Sequence, residues 1–166
     1  MRNFETYIIA QIEEFIYPIT IIASARGVRE IHFSSLDTIV KKLAQENIPY
    51  LIDLSHPAVI ELKQYFRGQR KHFGVPVDIE GTPFQMKVWK ALQSIPYGQV
   101  QSYKEIAEKI GHPKAPRAVG RACGANPVPI IIPCHRVVAA SGKLGGFSGG
   151  IEIKKVLLNL EGILFK

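Results

Sequence analysis

The chain has 166 residues, 46% hydrophobic and 21% charged, with 21 Lys+Arg against 14 Asp+Glu for a formal net charge of +7. With a mean hydropathy of +0.07, this composition supports a packed core in one large domain or two small ones and excludes an intrinsically disordered chain. The apolar stretch Val128-Pro129-Ile130-Ile131-Ile132-Pro133 is too short to cross a bilayer, the start Met1-Arg2-Asn3-Phe4-Glu5 has no apolar signal core, and Cys123 and Cys134 are too few for a disulfide framework.

A soluble protein that stays inside the cell is therefore expected, cytoplasmic in a prokaryote. Residues 1–78 hold nine basic and nine acidic side chains, while 79–166 hold twelve and five, so the whole excess sits in the second half. A basic excess confined to one region attracts polyanions, nucleic acid first among them. A membrane surface fits less well, because no basic amphipathic helix with aromatic anchors is present.

In the first half, Glu5-Thr6-Tyr7-Ile8-Ile9-Ala10, Thr20-Ile21-Ile22-Ala23-Ser24 and Val28-Arg29-Glu30-Ile31-His32-Phe33 are β-rich runs, with Gly27 in the last turn. They predict an antiparallel meander. Leu36, Ile39, Val40 and Leu43 have helical spacing, as do Val59, Leu62 and Phe66 after Pro57, so two helices follow. Residues 68–80, with Gly74 and Pro76 and little helical pattern, are the expected linker.

The second half opens on a helix start: Thr82 caps, Pro83 suits the first helical position and Gln85 completes a capping box before Val88, Trp89 and Leu92. A second capping box, Ser102-Tyr103-Lys104-Glu105, begins a short helix ending at Gly111, and Pro116 opens a third from Arg117 to about Ala125. Helix, short turn with Gly, then helix in the basic half is a helix-turn-helix pattern, one that helical hairpins in ordinary cores share. Val137 to Ala140 and Gly145 to Phe147 flank Ser141-Gly142-Lys143 as a loop or hairpin, and Ile153, Val156, Leu157 and Leu160 mark a last helix closed by Gly162.

The run after Asn126-Pro127 reads as a buried strand with Cys134 at its mouth, followed at once by His135 and Arg136. Positive neighbours favour thiolate, which makes a cysteine nucleophilic near neutral pH. Consecutive strand residues point to opposite faces, but Pro133 suggests a turn, in which His135 can meet Cys134 directly or through one water and act as base. Against this stands the ordinary fate of a buried free Cys, which packs as a small hydrophobe.

Pro133-Cys134-His135-Arg136-Val137, preceded by Asn126-Pro127 and Arg117-Ala118-Val119-Gly120, resembles the O6-alkylguanine-DNA alkyltransferases, also called methylated-DNA–protein-cysteine methyltransferases. The resemblance runs from Gly81-Thr82-Pro83-Phe84-Gln85 through Ile95-Pro96-Tyr97-Gly98, Ser102-Tyr103 and Ser148-Gly149-Gly150 to Glu161-Gly162. With the elements read above, the chain is expected to have an α+β fold: a small antiparallel-sheet and helix domain over 1–78 and a mainly helical domain over 79–166, whose helix-turn-helix the resemblance makes winged-helix-like. The resemblance also implies direct-reversal DNA repair, in which one alkyl group moves irreversibly from O6-alkylguanine to Cys134, with O4-alkylthymine as a further candidate substrate.

By the same resemblance His135 deprotonates Cys134 through a water, Glu161 holds the imidazole tautomer and Asn126 braces the turn. Arg117 fills the gap left by the flipped nucleotide, whose phosphate Tyr103 crowds. Ala118, Gly120, Arg121 and Gly124 lie with Arg117 along a helix expected in the minor groove of double-stranded DNA. Tyr103, Pro129, Val137, Phe147, Ser148 and Gly149 form the substrate pocket. The carbonyls of Cys134 and Val137 accept from the guanine amine, while Tyr103 and Ser148 donate to N3 and O6. No metal and no cofactor is expected, a monomer is the default, and Cys123 reads as structural. The competing readings are a module that only flags lesions, against which the presence of Cys134 argues, and a cysteine hydrolase, for which no oxyanion hole is evident and the other histidines, His32, His56, His72 and His112, stand isolated.

Overall fold

In the computed structural model, which describes residues 5–165, the first two β-rich runs become β1 (Tyr7–Ile12) and β2 (Ile19–Ser24), and the third becomes β3 (Gly27–His32). All three pair antiparallel in sequence order. β2 is central and buried along its whole length, so Ile21, Ile22 and Ala23 follow one another without the polar alternation of a half-exposed strand, and even Thr20 and Ser24 are buried. Helix α1 (Leu36–Gln45), capped by Ser35, lays Ile39 and Leu43 against Ile9 and Ile22.

The chain then departs from the meander expectation. Tyr50–Ile52 forms β4, which pairs parallel to β1, so the sheet is mixed, in the order β3-β2-β1-β4. A helix between two strands carries the chain back across the sheet, and that crossover favours parallel pairing. Three residues are too few to announce a strand by periodicity. Helix α2 (Pro57–Phe66) follows, its start capped by the His56 ring.

The expected linker is also more ordered than its composition suggests. Val77 bridges to Val28, with Val28 donating to the Pro76 carbonyl at 3.0 Å and Asp78 N–H to the Val28 carbonyl at 2.8 Å. Ser24 Oγ donates to the Asp78 carboxylate at 2.5 Å and Arg29 at 3.1 Å. Gly27 permits the approach: a Cβ there would lie 2.5 Å from the Pro76 carbonyl oxygen.

The chain divides into two compact units, Met1–Ile79 and Glu80–Lys166. In the second, α3 (Pro83–Gln93) and α4 (Tyr103–Lys109) begin with the two capping boxes, from Thr82 with Gln85 and from Ser102 with Glu105. α5 (Pro116–Gly124) packs on both, and the Trp89 indole on α3 donates to the Ala122 carbonyl at 2.8 Å. β5 (Gln101–Ser102) and β6 (Val137–Val138) form a small parallel ladder beside the α4–α5 helix-turn-helix. Residues 139–143 form a turn, closed by Ala139 N–H donating to the Lys143 carbonyl at 2.9 Å, and among the described residues no strand follows it to make a hairpin with β6. Helix α6 (Ile151–Leu160) closes the unit.

Candidate active site

The apolar run before Cys134 is not a strand. Val128–Ile132 folds into a buried turn, with Ile132 N–H donating to the Val128 carbonyl at 3.0 Å and Ile130 held at φ +76°. Left-handed backbone is costly for a β-branched residue and persists only where its surroundings enforce it. Asn126 supplies much of that enforcement. Its side-chain amide donates to the Ile132 carbonyl at 2.8 Å while its oxygen accepts from Val128 N–H at 2.9 Å. Pro127, Pro129 and Pro133 carry no N–H for a ladder, so the run is apolar enough for a strand but lacks the donors to be one.

This turn delivers Cys134 into one turn of 3-10 helix, Cys134–Arg136. The three side chains are all buried: Cys134 faces a cavity, while His135 and Arg136 both reach Glu161. The Cys134 thiol is 4% exposed. Burial pushes it up to about 11, against which Asn126, the Lys154 charge and the backbone N–H groups of Cys134 and His135 favour the thiolate.

His135 is fully buried, and its Nε2 lies 2.7 Å from Glu161 Oε1. A carboxylate only accepts, so Nε2 carries the proton and Nδ1 is left as the basic lone pair. Among the described residues, Nδ1 has no protein hydrogen-bond partner. Burial lowers the imidazole pKa, opposed by Glu161, so the ring stays neutral near pH 7 and can take a proton.

Glu161, at the C-terminal end of α6, is held on every side. Arg136 Nε donates to Oε2 at 2.9 Å, Arg136 Nη2 to Oε1 at 2.8 Å, and Gly98 N–H to Oε2 at 3.2 Å. Arg136 Nη1 reaches the Ile95 carbonyl at 2.8 Å, and its guanidinium lies over the Tyr97 ring. The Ile95-Pro96-Tyr97-Gly98 bend and α6 thus meet at one buried carboxylate. The sequence reading gave Arg136 only the role of a nearby charge; in the fold it is the counter-ion of Glu161.

Lys154 was missed altogether. It is 0% exposed, its Nζ donates to the carbonyls of Val137 at 2.6 Å and Gly146 at 3.1 Å, and it lies over the Tyr103 ring. Burial lowers it to about 8. Nothing in Ile153-Lys154-Lys155-Val156 tells the inward lysine from its solvated neighbour except the phase of the helix, which places Lys154 in line with Leu157 and Leu158.

A cavity of about 930 Å³ opens above Cys134. Of the expected pocket residues, Tyr103, Phe147 and Ser148 line it; Pro129 and Val137 lie buried behind it, and Gly149 is off its wall. Arg117, Gly120, Arg121 and Gly124 border it along α5, whereas Ala118 does not. Arg117, Arg121 and Gly124 are exposed, and Ala118 and Gly120 half-buried. Gly145, at φ +72°, fits under Tyr103, where a Cβ would come within 2.6 Å of the phenol oxygen. Among the described residues no cluster of three or more His, Cys, Asp or Glu is arranged to hold a metal, and no helix is long and apolar enough to cross a membrane.

Residues 11–79 match the 6-O-methylguanine DNA methyltransferase, ribonuclease-like domain, and residues 83–163 the DNA binding domain of the same family. The chain is 58% identical over 104 residues to a methylated-DNA–protein-cysteine methyltransferase of Mycobacterium bovis, a match covering 63% of each chain. It is 54% identical over 109 residues to the inducible methyltransferase of that name from Bacillus subtilis, covering 66% of this chain and 61% of the other. These matches span less than two thirds of the relatives' own lengths. Over nearly the whole chain, it resembles the Mycobacterium tuberculosis O6-methylguanine methyltransferase crystal structure with a TM-score of 0.80 and 41% identity, covering 94% of this chain and 92% of that one. The M. tuberculosis OGT in complex with DNA matches equally well, with a TM-score of 0.80 at 42% identity over 93% and 92% of the two chains. Matched in both halves by its two domains, the chain belongs to the 6-O-methylguanine DNA methyltransferase family.

Proposed function

We propose that this protein repairs double-stranded DNA by taking the alkyl group of O6-alkylguanine onto Cys134, once per molecule. The observation that carries the reading is the buried series Cys134, His135, Glu161 and Arg136 beneath a cavity bordered by basic residues. His135 Nδ1 takes the thiol proton, directly or through one water, while Glu161 and Arg136 fix the ring's tautomer and orientation. Sγ then bonds the alkyl carbon as the carbon–O6 bond breaks, and the electron pair leaves with guanine. Tyr103 and Ser148 donate to N3 and O6 of the leaving base. The carbonyls of Cys134 and Val137 accept from its exocyclic amine; Val137 keeps a lone pair for this beside its bond from Lys154.

A base inside the duplex cannot reach a thiol at a cavity floor, so the nucleotide must be flipped. Arg117, exposed at the head of α5, takes its place in the stack, and Ala118, Gly120, Arg121 and Gly124 bring the α5 backbone close to the minor groove. The M. tuberculosis relative crystallised with DNA supports this choice of partner. The protein acts as a monomer inside the cell, where both free cysteines stay reduced. Intact-mass measurement after incubation with O6-benzylguanine tests the reading: one benzyl group on Cys134 is expected, and an unmodified protein, or one that keeps releasing guanine, overturns it.

A further inference from the structure

The fold places both cysteines of the chain, eleven positions apart in sequence, on the wall of the same cavity. Cys123, in the last turn of α5, is 7% exposed and Cys134 4%; both are free thiols. The Lys154 ammonium favours the thiolate of each. Burial first, then the nearby Cys134, push Cys123 up to about 12.

Cys123 thus faces the cavity into which a transfer places an alkyl group on Cys134. For a methyl group this has no consequence, because the new thioether offers no leaving group. For an alkyl group carrying a second electrophilic carbon it does.

We propose that Cys123 is a second acceptor for bifunctional alkyl groups of the O6-(haloalkyl)guanine class, closing on the far carbon of a group already held by Cys134. This rests on the transfer reading above. Cys123 Sγ bonds the halogen-bearing carbon, the carbon–halogen bond breaks with its electron pair leaving as halide, and the thiol proton passes to solvent through the open side of the cavity. The product is an intramolecular bis-thioether joining Cys123 to Cys134. A three-carbon bridge spans more distance than a direct S–S bond, and both thiols stand on the wall of one cavity. The electrophile is consumed within the protein before it can attack DNA.

The test uses the whole protein and its Cys123→Ser variant with duplexes holding O6-propylguanine or O6-(3-chloropropyl)guanine, read by intact mass and peptide mapping. Wild type should end with a chlorine-free propylene bridge between the Cys123 and Cys134 peptides. Cys123→Ser should keep the chlorine at least about tenfold longer, the gain expected of a thiol held close to its target. Wild-type protein that retains chlorine, or loses it no faster than the variant, overturns the proposal while propyl transfer still stands. Failure of propyl transfer in wild type overturns the transfer reading itself. Should Cys123→Ser fold poorly, Cys123→Ala serves as the comparison, and the bridged peptide in wild type decides by itself.

Discussion

Replacing Glu161 by Gln keeps the side chain's volume and removes its charge. In the fold this side chain is 0% exposed and accepts from His135, Arg136 and Gly98. The amide oxygen can still accept from Arg136, but the guanidinium, with only 7% of its side chain exposed, loses its counter-ion. Breaking a buried pair on one side costs about 3–5 kcal/mol. The lower end applies here, which for a unit of this size corresponds to a fall in Tm of roughly 10 °C or more. The chemical effect is separate. The Gln amide group turned toward His135 Nε2 must donate, which moves the ring proton to Nδ1 and deprives Cys134 of its base. The first-order rate of transfer should drop by about 10²- to 10⁴-fold, the range a positioned base contributes. Rapid-quench kinetics on a labelled O6-methylguanine duplex, with the temperature kept well below the variant's Tm, separates the two effects. The plateau should stay at about one equivalent per folded protein, since the acceptor is intact. Wild-type rates in a correctly folded Glu161→Gln protein would refute the proton path, and a lowered plateau at unchanged rate would reduce Glu161 to a structural role.

Cys134→Ser should abolish transfer while leaving duplex affinity and Tm nearly unchanged, since one buried atom changes and the basic α5 face does not; titration with labelled duplex and thermal denaturation check both halves. Arg117→Ala should slow repair of duplex DNA far more than reaction with free O6-benzylguanine, because an exposed finger acts on flipping; equal losses on both substrates would make it structural. The pH profile follows from the two titrating groups. Burial holds His135 below the ordinary 6.5, so wild-type transfer should be flat near neutrality and fall only on the acid side, where the base becomes protonated. In His135→Ala the thiol must ionise unaided, and with Cys134 at about 11 the rate should instead climb about tenfold per pH unit above neutrality. A flat profile in that variant would show that another group takes the proton.

The local signals of the second half were legible because each rests on a few adjacent residues. Thr82 with Gln85 and Ser102 with Glu105 satisfy orphan N–H groups at two helix starts, and both boxes form in the fold. Adjacent Cys134, His135 and Arg136 mark the chemistry for the same reason. What the sequence could not carry was anything set by distant partners. β4 exists because α1 returns the chain beside β1, not because Tyr50-Leu51-Ile52 has a period. Val128–Ile132 is as apolar as a strand, yet Asn126 and three prolines bend it into the turn that aims Cys134 at the cavity. Composition reports the burial of that run but not its hydrogen bonds. Arg136 and Lys154 show the limit most plainly. A charged residue reads as solvated until the fold supplies its partner, and those partners, Glu161 at 25 positions' separation and the Val137 carbonyl at 17, meet only once α6 has packed against the 3-10 turn.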